Sequence, residues 1–468
     1  MTVAAAAPDP AATPPSGVRP RAVILVGGPA APYSRSIRIA RALSAEGFAV
    51  EIAAVASDGR PEREVIQPGR PETTGSPEPA PDAAGPIKLR RYRPRGPWAV
   101  LGAGEGASGA AVGARPASRM RRAVRSLAGP LLDLRRWLFW PHTVRGWWAT
   151  LRYELAPADL YHACGALTIA AALDARRRHP VGPSGRPSRV VYDVIDLAAE
   201  SNAVTVMPPR VRARIARTDA AWARAADAIV AINEAFAGRL RERDPGREIT
   251  VVPNIPEPAD PAQVAAPPDL IRAETGLPAS TRIVLFHGRL GPDLGLENAA
   301  EAILEVPDAA LVLLGFGRGM AESRARDRDP RRAGRHLTLD ARSPDEIVSW
   351  TASADVCLIP LPPVSANQRL TTPNKFWEAV SGGTPLVVVA GMTTLERLVR
   401  EGDLGAVAAS PAPADLAAAI RDVLARLDAE GPAWRRHIAE AAIRGGGWPA
   451  AATAYRTLVR ELVAVPPR

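Results

Sequence analysis

The chain has 468 residues, 47% of them hydrophobic, enough material for two sizeable cores. Its formal net charge is +10, yet of 59 basic residues only Lys88 and Lys375 are lysine, and 48 residues are proline. This looks like a high-GC coding bias: it weakens the argument from arginine to nucleic acid, for which no recognition motif exists, and no run of about 18 apolar residues is present to span a membrane.

Residues 1–20 are rich in Ala and Pro, lack the apolar stretch of a signal peptide, and read as a disordered tail. AVILVGG (22–28) reads as a buried strand ending in Gly27 and Gly28, SRSIRIARALSAEG (34–47) as a helix, and FAVEIAAVA (48–56) as the next strand. That opening predicts a nucleotide-type parallel sheet, although the spacing is not that of a dinucleotide fingerprint. Gly27 and Gly28 either admit a ligand close to the backbone or make a tight turn. Residues 57–86 read as a loop and IKLRRY (87–92) as an edge strand. Residues 118–153 interleave Arg121, Arg122, Arg125, Arg135, Arg136 and Arg145 with five large aromatics. This basic, aromatic helical insertion fits a membrane interface, or else packs its tryptophans into the core.

Regular alternation then resumes. ADLYHAC (158–164), RVVYDVIDL (189–197), DAIVAIN (227–233) and EITVVPN (248–254) read as strands, with helices over 167–178, over 209–226 and from Glu234. Polar groups at strand ends mark the site edge of open α/β sheets, and His162, Asp196 and Asn254 meet that rule. A histidine inside a strand has the alternative of being a satisfied core group. Residues 255–269, with five prolines, read as the connection between a first domain (21–254) and a second (270–445).

In the second domain RIVLFHG (282–288), AALVLLGFG (309–317), HLTLD (336–340), DVCLIPL (355–361) and GAVAA (405–409) read as strands. SPDEIVSWTASA (343–354) reads as a helix capped by Ser343 with a capping-box Glu346. Cys164 and Cys357, far apart, read as reduced and core-facing. The stretch TTPNKFWEAVSGGTPLVVV (371–389) organises the rest. Thr371 or Thr372 can cap a helix with Pro373 in its first turn. Asn374 and Lys375 then stand at the partly positive helix start, which suits a phosphate. Glu378, one turn on, can accept from sugar hydroxyls. An ordinary capped helix with a surface lysine is the alternative.

Taken together, VILVGG…SRSIRIARALSAEGFAV, LYHACG, VVYDVIDLAAE, AIVAINEAF, ITVVPNIP, IVLFHGRL, ALVLLGFG, SPDEIVSWTASADVCLIPL and TPNKFWEAVSGGTPLVVV resemble, in order and spacing over roughly 22–410, the retaining GT-B glycosyltransferases of family 4. The resemblance implies an α/β fold of two Rossmann-like doubly wound domains facing across a cleft, with a last helix (446–468) returning to the first domain. It implies transfer of a sugar from a nucleotide-sugar donor to a glycan, a glycolipid or a small molecule, without metal or other cofactor. Arg289 and Lys375 would neutralise the donor diphosphate, with the amides around Asn374; Glu378 would take the ribose hydroxyls. Gly288, Gly315 and Gly317 would let the backbone approach the nucleotide, Gly27 and Gly28 would border the phosphates, and His162 would touch the transferred sugar or the acceptor. Asp196 joins the binding set.

Two positions depart from the family pattern. Leu294 stands where a lysine is common, and Leu370 where an acid is common. They support a competing expectation, a non-catalytic scaffold of the same fold; a sugar-nucleotide epimerase is a third. The expected setting is bacterial envelope or polysaccharide synthesis in the cytoplasm, with peripheral inner-membrane contact through 118–153 and no nucleic acid.

Overall fold

Short apolar runs bounded by glycine and proline bury best between two layers of helices, and that arrangement is seen twice. The computed structural model describes residues 18–28, 34–56, 61–67, 85–93, 151, 154–257, 259–317 and 319–464. The tail up to residue 17, most of 57–84 and nearly all of the 118–153 insertion lie outside these, so the expectations placed on them are not addressed by the structure.

The first sheet contains β1 (Arg21–Val26), β2 (Ala49–Val55), β3 (Arg63–Ile66), β4 (Ile87–Tyr92), β5 (Leu160–Cys164), β6 (Arg189–Val194), β7 (Ala228–Ala231) and β8 (Ile249–Val251). Their order is β3-β4-β2-β1-β5-β6-β7-β8, parallel except for the antiparallel β3–β4 pair. β3 corrects the reading of 57–86 as loop, and β4 is therefore not an edge. The flanking prolines and glutamates hide this short strand in the sequence, and it is largely exposed.

The second sheet contains β9 (Arg282–Arg289), β10 (Ala309–Phe316), β11 (His336–Asp340), β12 (Val356–Ile359), β13 (Leu386–Val389) and β14 (Gly405–Ala408). Its order is β11-β10-β9-β12-β13-β14, all parallel. Strand order reverses between β1 and β5 in one sheet and between β9 and β12 in the other. Ligands of open α/β sheets bind at such switch points.

Three local details go beyond or correct the sequence reading. Within the connection, Asp260 caps a short helix, Pro261–Ala265, whose Val264 is buried. The helix expected over 343–354 runs only from Ile347 to Ala352; Ser343 and Glu346 bond each other ahead of it. Ser365 caps an unforeseen helix, Ala366–Leu370, by accepting from the Gln368 N–H.

Both cysteines are free and buried. The final helix, Gly447–Ala464, leaves the second domain and inserts Trp448, Ala451, Ala452, Tyr455 and Val459 into the core built on β1, β2 and β4 of the first. Deleting a buried aromatic of this kind typically costs about 3–5 kcal/mol, so the first domain depends on the end of the chain. No helix among the described residues is long and apolar enough to cross a membrane.

Candidate functional site

The site lies where β9 and β10 end and the helix Asn374–Ser381 begins. Gly288, at the end of β9, has φ +108, a conformation other residues rarely adopt. A Cβ placed there would meet Lys375 Nζ at an ordinary contact distance of 3.8 Å, so it is the backbone conformation that calls for glycine. Arg289 follows, half-exposed, with a 2.9 Å ion pair to Asp293. Gly288, Arg289, Phe316, Asn374, Lys375 and Glu378 line one hollow of about 190 Å³. The structure thus brings Arg289 and Lys375 together, as expected from the sequence.

Lys375 sits with Nζ 4.4 Å from the Phe286 ring centroid, a cation–π contact. Burial lowers its pKa to about 8; the nearby Cys357 and Glu378 oppose the shift and Arg289 adds to it. Glu378 is also buried, and loss of water raises its pKa against the pull of Arg38 and Lys375. His287 faces the same carboxylate, Nδ1 to Oε2 3.5 Å, but burial and then Lys375 hold its pKa down to about 3. The pair is therefore a neutral imidazole beside a carboxyl group, too far apart for a good hydrogen bond. The hollow concentrates cationic charge that the protein only partly balances.

The cap differs from the expectation. Pro373 occupies the N-cap position with no side-chain cap, and Thr371 and Thr372 precede it. Thr372 instead accepts from Asn233, whose amide also donates to the Leu370 carbonyl. Asn374 is diverted too: it accepts from Asn254 at 2.8 Å and donates toward Ser34 at 3.3 Å. Its side chain joins the two domains, which leaves only the backbone there for a phosphate. Asp196 lies at the same junction. Asn367 donates to its carboxylate at 3.0 Å and accepts from the Leu197 N–H at 2.7 Å.

His162 is corrected outright. It is completely enclosed, with Nε2 3.2 Å from Asp193 and Nδ1 2.9 Å from the Tyr455 hydroxyl. Both ring nitrogens are engaged, so it presents nothing to the cleft; this is the satisfied core group. Arg35 completes the cluster with two 2.7 Å bonds to Asp193 and one to the Val252 carbonyl. Burial alone would raise the Asp193 pKa, but Arg35 and His162 outweigh it and bring it to about 2. His162, Cys164 and Asp193 have the mutual spacing of metal ligands. Here a guanidinium already answers the carboxylate and a hydroxyl answers the imidazole.

Among the glycines, Gly317 has φ +107 and turns the chain beside Leu290. Gly315 serves packing: a Cβ there would meet the Gly288 carbonyl at 2.4 Å. Gly28 accepts from the Val55 N–H, and a Cβ on Gly27 would come within 3.0 Å of the exposed Leu167. Both follow β1, at the switch point of the first sheet. Leu294 and Leu370 point away from the hollow, the first into the second-domain core and the second against the first-domain core. The sequence reading missed Arg35, Arg38, Asp193, Asn233, Asn367 and Tyr455. One signal existed: Arg35 and Arg38 lie three apart among the isoleucines of a helix, which places both toward the core.

Two parallel-sheet domains joined across this cleft, with a returning final helix, define the GT-B fold. Residues 281–426 match the family model described as glycosyl transferases group 1. Among solved structures, sucrose-phosphate synthase from Thermosynechococcus elongatus is similar over 95% of this chain and 99% of its own, with 18% identity and TM-score 0.60. Anabaena HepE in complex with UDP and glucose matches over 95% and 100%, with 15% identity and TM-score 0.57. WaaG, a glycosyltransferase involved in lipopolysaccharide biosynthesis, matches over 93% and 99%, with 14% identity and TM-score 0.55. No curated protein sequence matches the chain.

Proposed function

We propose that the chain is a retaining glycosyltransferase that moves a sugar from a nucleotide-diphosphate donor to a glycan, glycolipid or small-molecule acceptor. The observation that carries this reading is the meeting of Gly288, Arg289, Lys375 and the start of the helix Asn374–Ser381 around one hollow. Cleavage of the donor bond leaves negative charge on a diphosphate. Fixed cations and backbone amides aimed there lower the barrier, and one such donor is worth about 3 kcal/mol. Glu378 accepts from the ribose hydroxyls, and Phe316 and Leu314 form apolar wall for the base. The reaction in this reading uses no metal.

HepE was solved with UDP and glucose, which makes UDP-sugars the first donors to test. The setting we favour is the cytoplasmic side of a bacterial envelope or polysaccharide pathway, with 118–153 as a peripheral membrane contact. Thermal-shift titration with nucleotide diphosphates and their sugars tests donor binding, because a ligand of the folded state raises Tm by mass action. NMR of the product's anomeric configuration tests retention. No shift with any nucleotide sugar would sink the proposal.

A second reading rests on Leu294, buried in the second-domain core, and Leu370, half-buried against the first-domain core, where the family pattern has charged groups. Donor binding without turnover against a broad acceptor panel would favour that non-catalytic scaffold.

A further inference from the structure

A second and larger cavity opens between the domains, about 470 Å³ in volume. Its walls include Glu200, Arg212, Arg239 and Arg243 from the first domain and Val364 and Arg369 from the second. The contact of Asp196 and Leu197 with Asn367 borders it, since Glu200 and Ser365 continue those two segments, and the charge of Arg289 in the donor hollow acts on that same Asp196. The place of Asp196 between the two is what makes an acceptor the ligand to consider.

The charges are unequal in kind. Arg239 bonds Glu200 at 3.0 Å and also pairs with Glu242; Arg243 pairs with Glu200 and lies 3.7 Å from Asp219. These two are fixed in place by acids. Arg212 and Arg369 are exposed and have no carboxylate partner among the described residues; Arg369 donates only to the Pro363 carbonyl. They come from opposite domains and face one space. A cavity of this size with two unbalanced guanidiniums over an apolar wall of alanines and Val364 suits a sugar-sized molecule carrying an anion.

We propose that this cavity is the acceptor subsite, and that its ligand is a sugar bearing a phosphate or carboxylate, held by Arg212 and Arg369 across the domain junction. The inference rests on the glycosyltransferase reading for the word acceptor, but the binding site stands or falls separately.

The test is calorimetric titration of the full chain with glucose 6-phosphate, glucuronate and neutral glucose, each in the presence of saturating UDP so that the donor hollow is filled. At least one anionic sugar is expected to bind, and glucose at least tenfold more weakly; which of the two binds identifies the anion. Arg212→Ala and Arg369→Ala should each weaken that binding about tenfold or more, while UDP affinity stays unchanged as the control for folding. Arg369→Lys should recover part of the loss. Equal binding of glucose, binding of neither anion, or full affinity in the double alanine variant would overturn the subsite. Should UDP fail to bind the native chain, the donor reading falls, while titration with the anionic sugars alone still decides this one.

Discussion

Two clusters of buried charge, one in each domain, are built to opposite ends. In the first, Arg35, Asp193, His162 and Tyr455 close on one another: each polar group has a partner, and the cluster sits wholly inside. In the second, Lys375, Glu378 and His287 are brought close with only looser contacts, His287 lying 3.5 Å from Glu378 and 3.4 Å from the Thr351 hydroxyl, and a hollow remains in front of them. Burying an ion costs several kcal/mol unless a partner answers it. A completed set is architecture, whereas a set left open is where a ligand can supply what is missing.

The largest way to break this comparison is Arg35→Met. It strands the Asp193 carboxylate in the core, so the chain should lose about 3–5 kcal/mol of stability, seen as a lowered denaturant midpoint. Retained stability would mean the first cluster does not hold the domain.

Lys375→Ala should do the reverse. Stability should hold or rise, because a half-buried ammonium is removed, while turnover falls about 100- to 1000-fold in a donor-consumption assay. Near-normal turnover would contradict the assignment.

Tyr455→Phe is milder: it leaves His162 Nδ1 without its donor and should cost about 1–3 kcal/mol in thermal unfolding, with donor affinity unchanged. The smallest effect is on pH. Lys375 is charged below about 8, so donor affinity should weaken as pH rises through that value, by up to about tenfold per unit. Its folded pKa lies below that of an unfolded lysine, so between about 8 and 10 the unfolded chain binds more protons. Over that window the ligand-free protein should gain stability with pH from this group while the donor is lost. Parallel trends in the two measurements would break the assignment.

Much of this was legible in the residues. Apolar runs of strand length, ending in glycine or acid, gave both sheets, and the rarity of lysine pointed to Lys375. Arg289 and Gly288 came from the resemblance to the GT-B glycosyltransferases. His162 was not resolved, because a strand-end histidine reads the same whether it faces a cleft or a buried Asp193. What decided it was Tyr455, nearly 300 residues away in sequence. The side chain of Asn374 was unreadable for a related reason: Asn254 from the other domain engages it, which leaves the backbone amides of that helix start for a phosphate. Local patterns report local geometry, and both side chains lie where distant segments meet.

The returning final helix has a consequence for how the molecule is made. Val459 and Tyr455 fill a core whose other walls come from residues 22–54, 87–89, 160–164 and 191–252 of the first domain. During translation the first domain cannot finish packing until the second has been synthesised, although domains generally fold as units in order of emergence. A partly made chain must hold an apolar groove open for the whole of that interval, and any truncation near residue 445 should yield an aggregating product, not a smaller working domain.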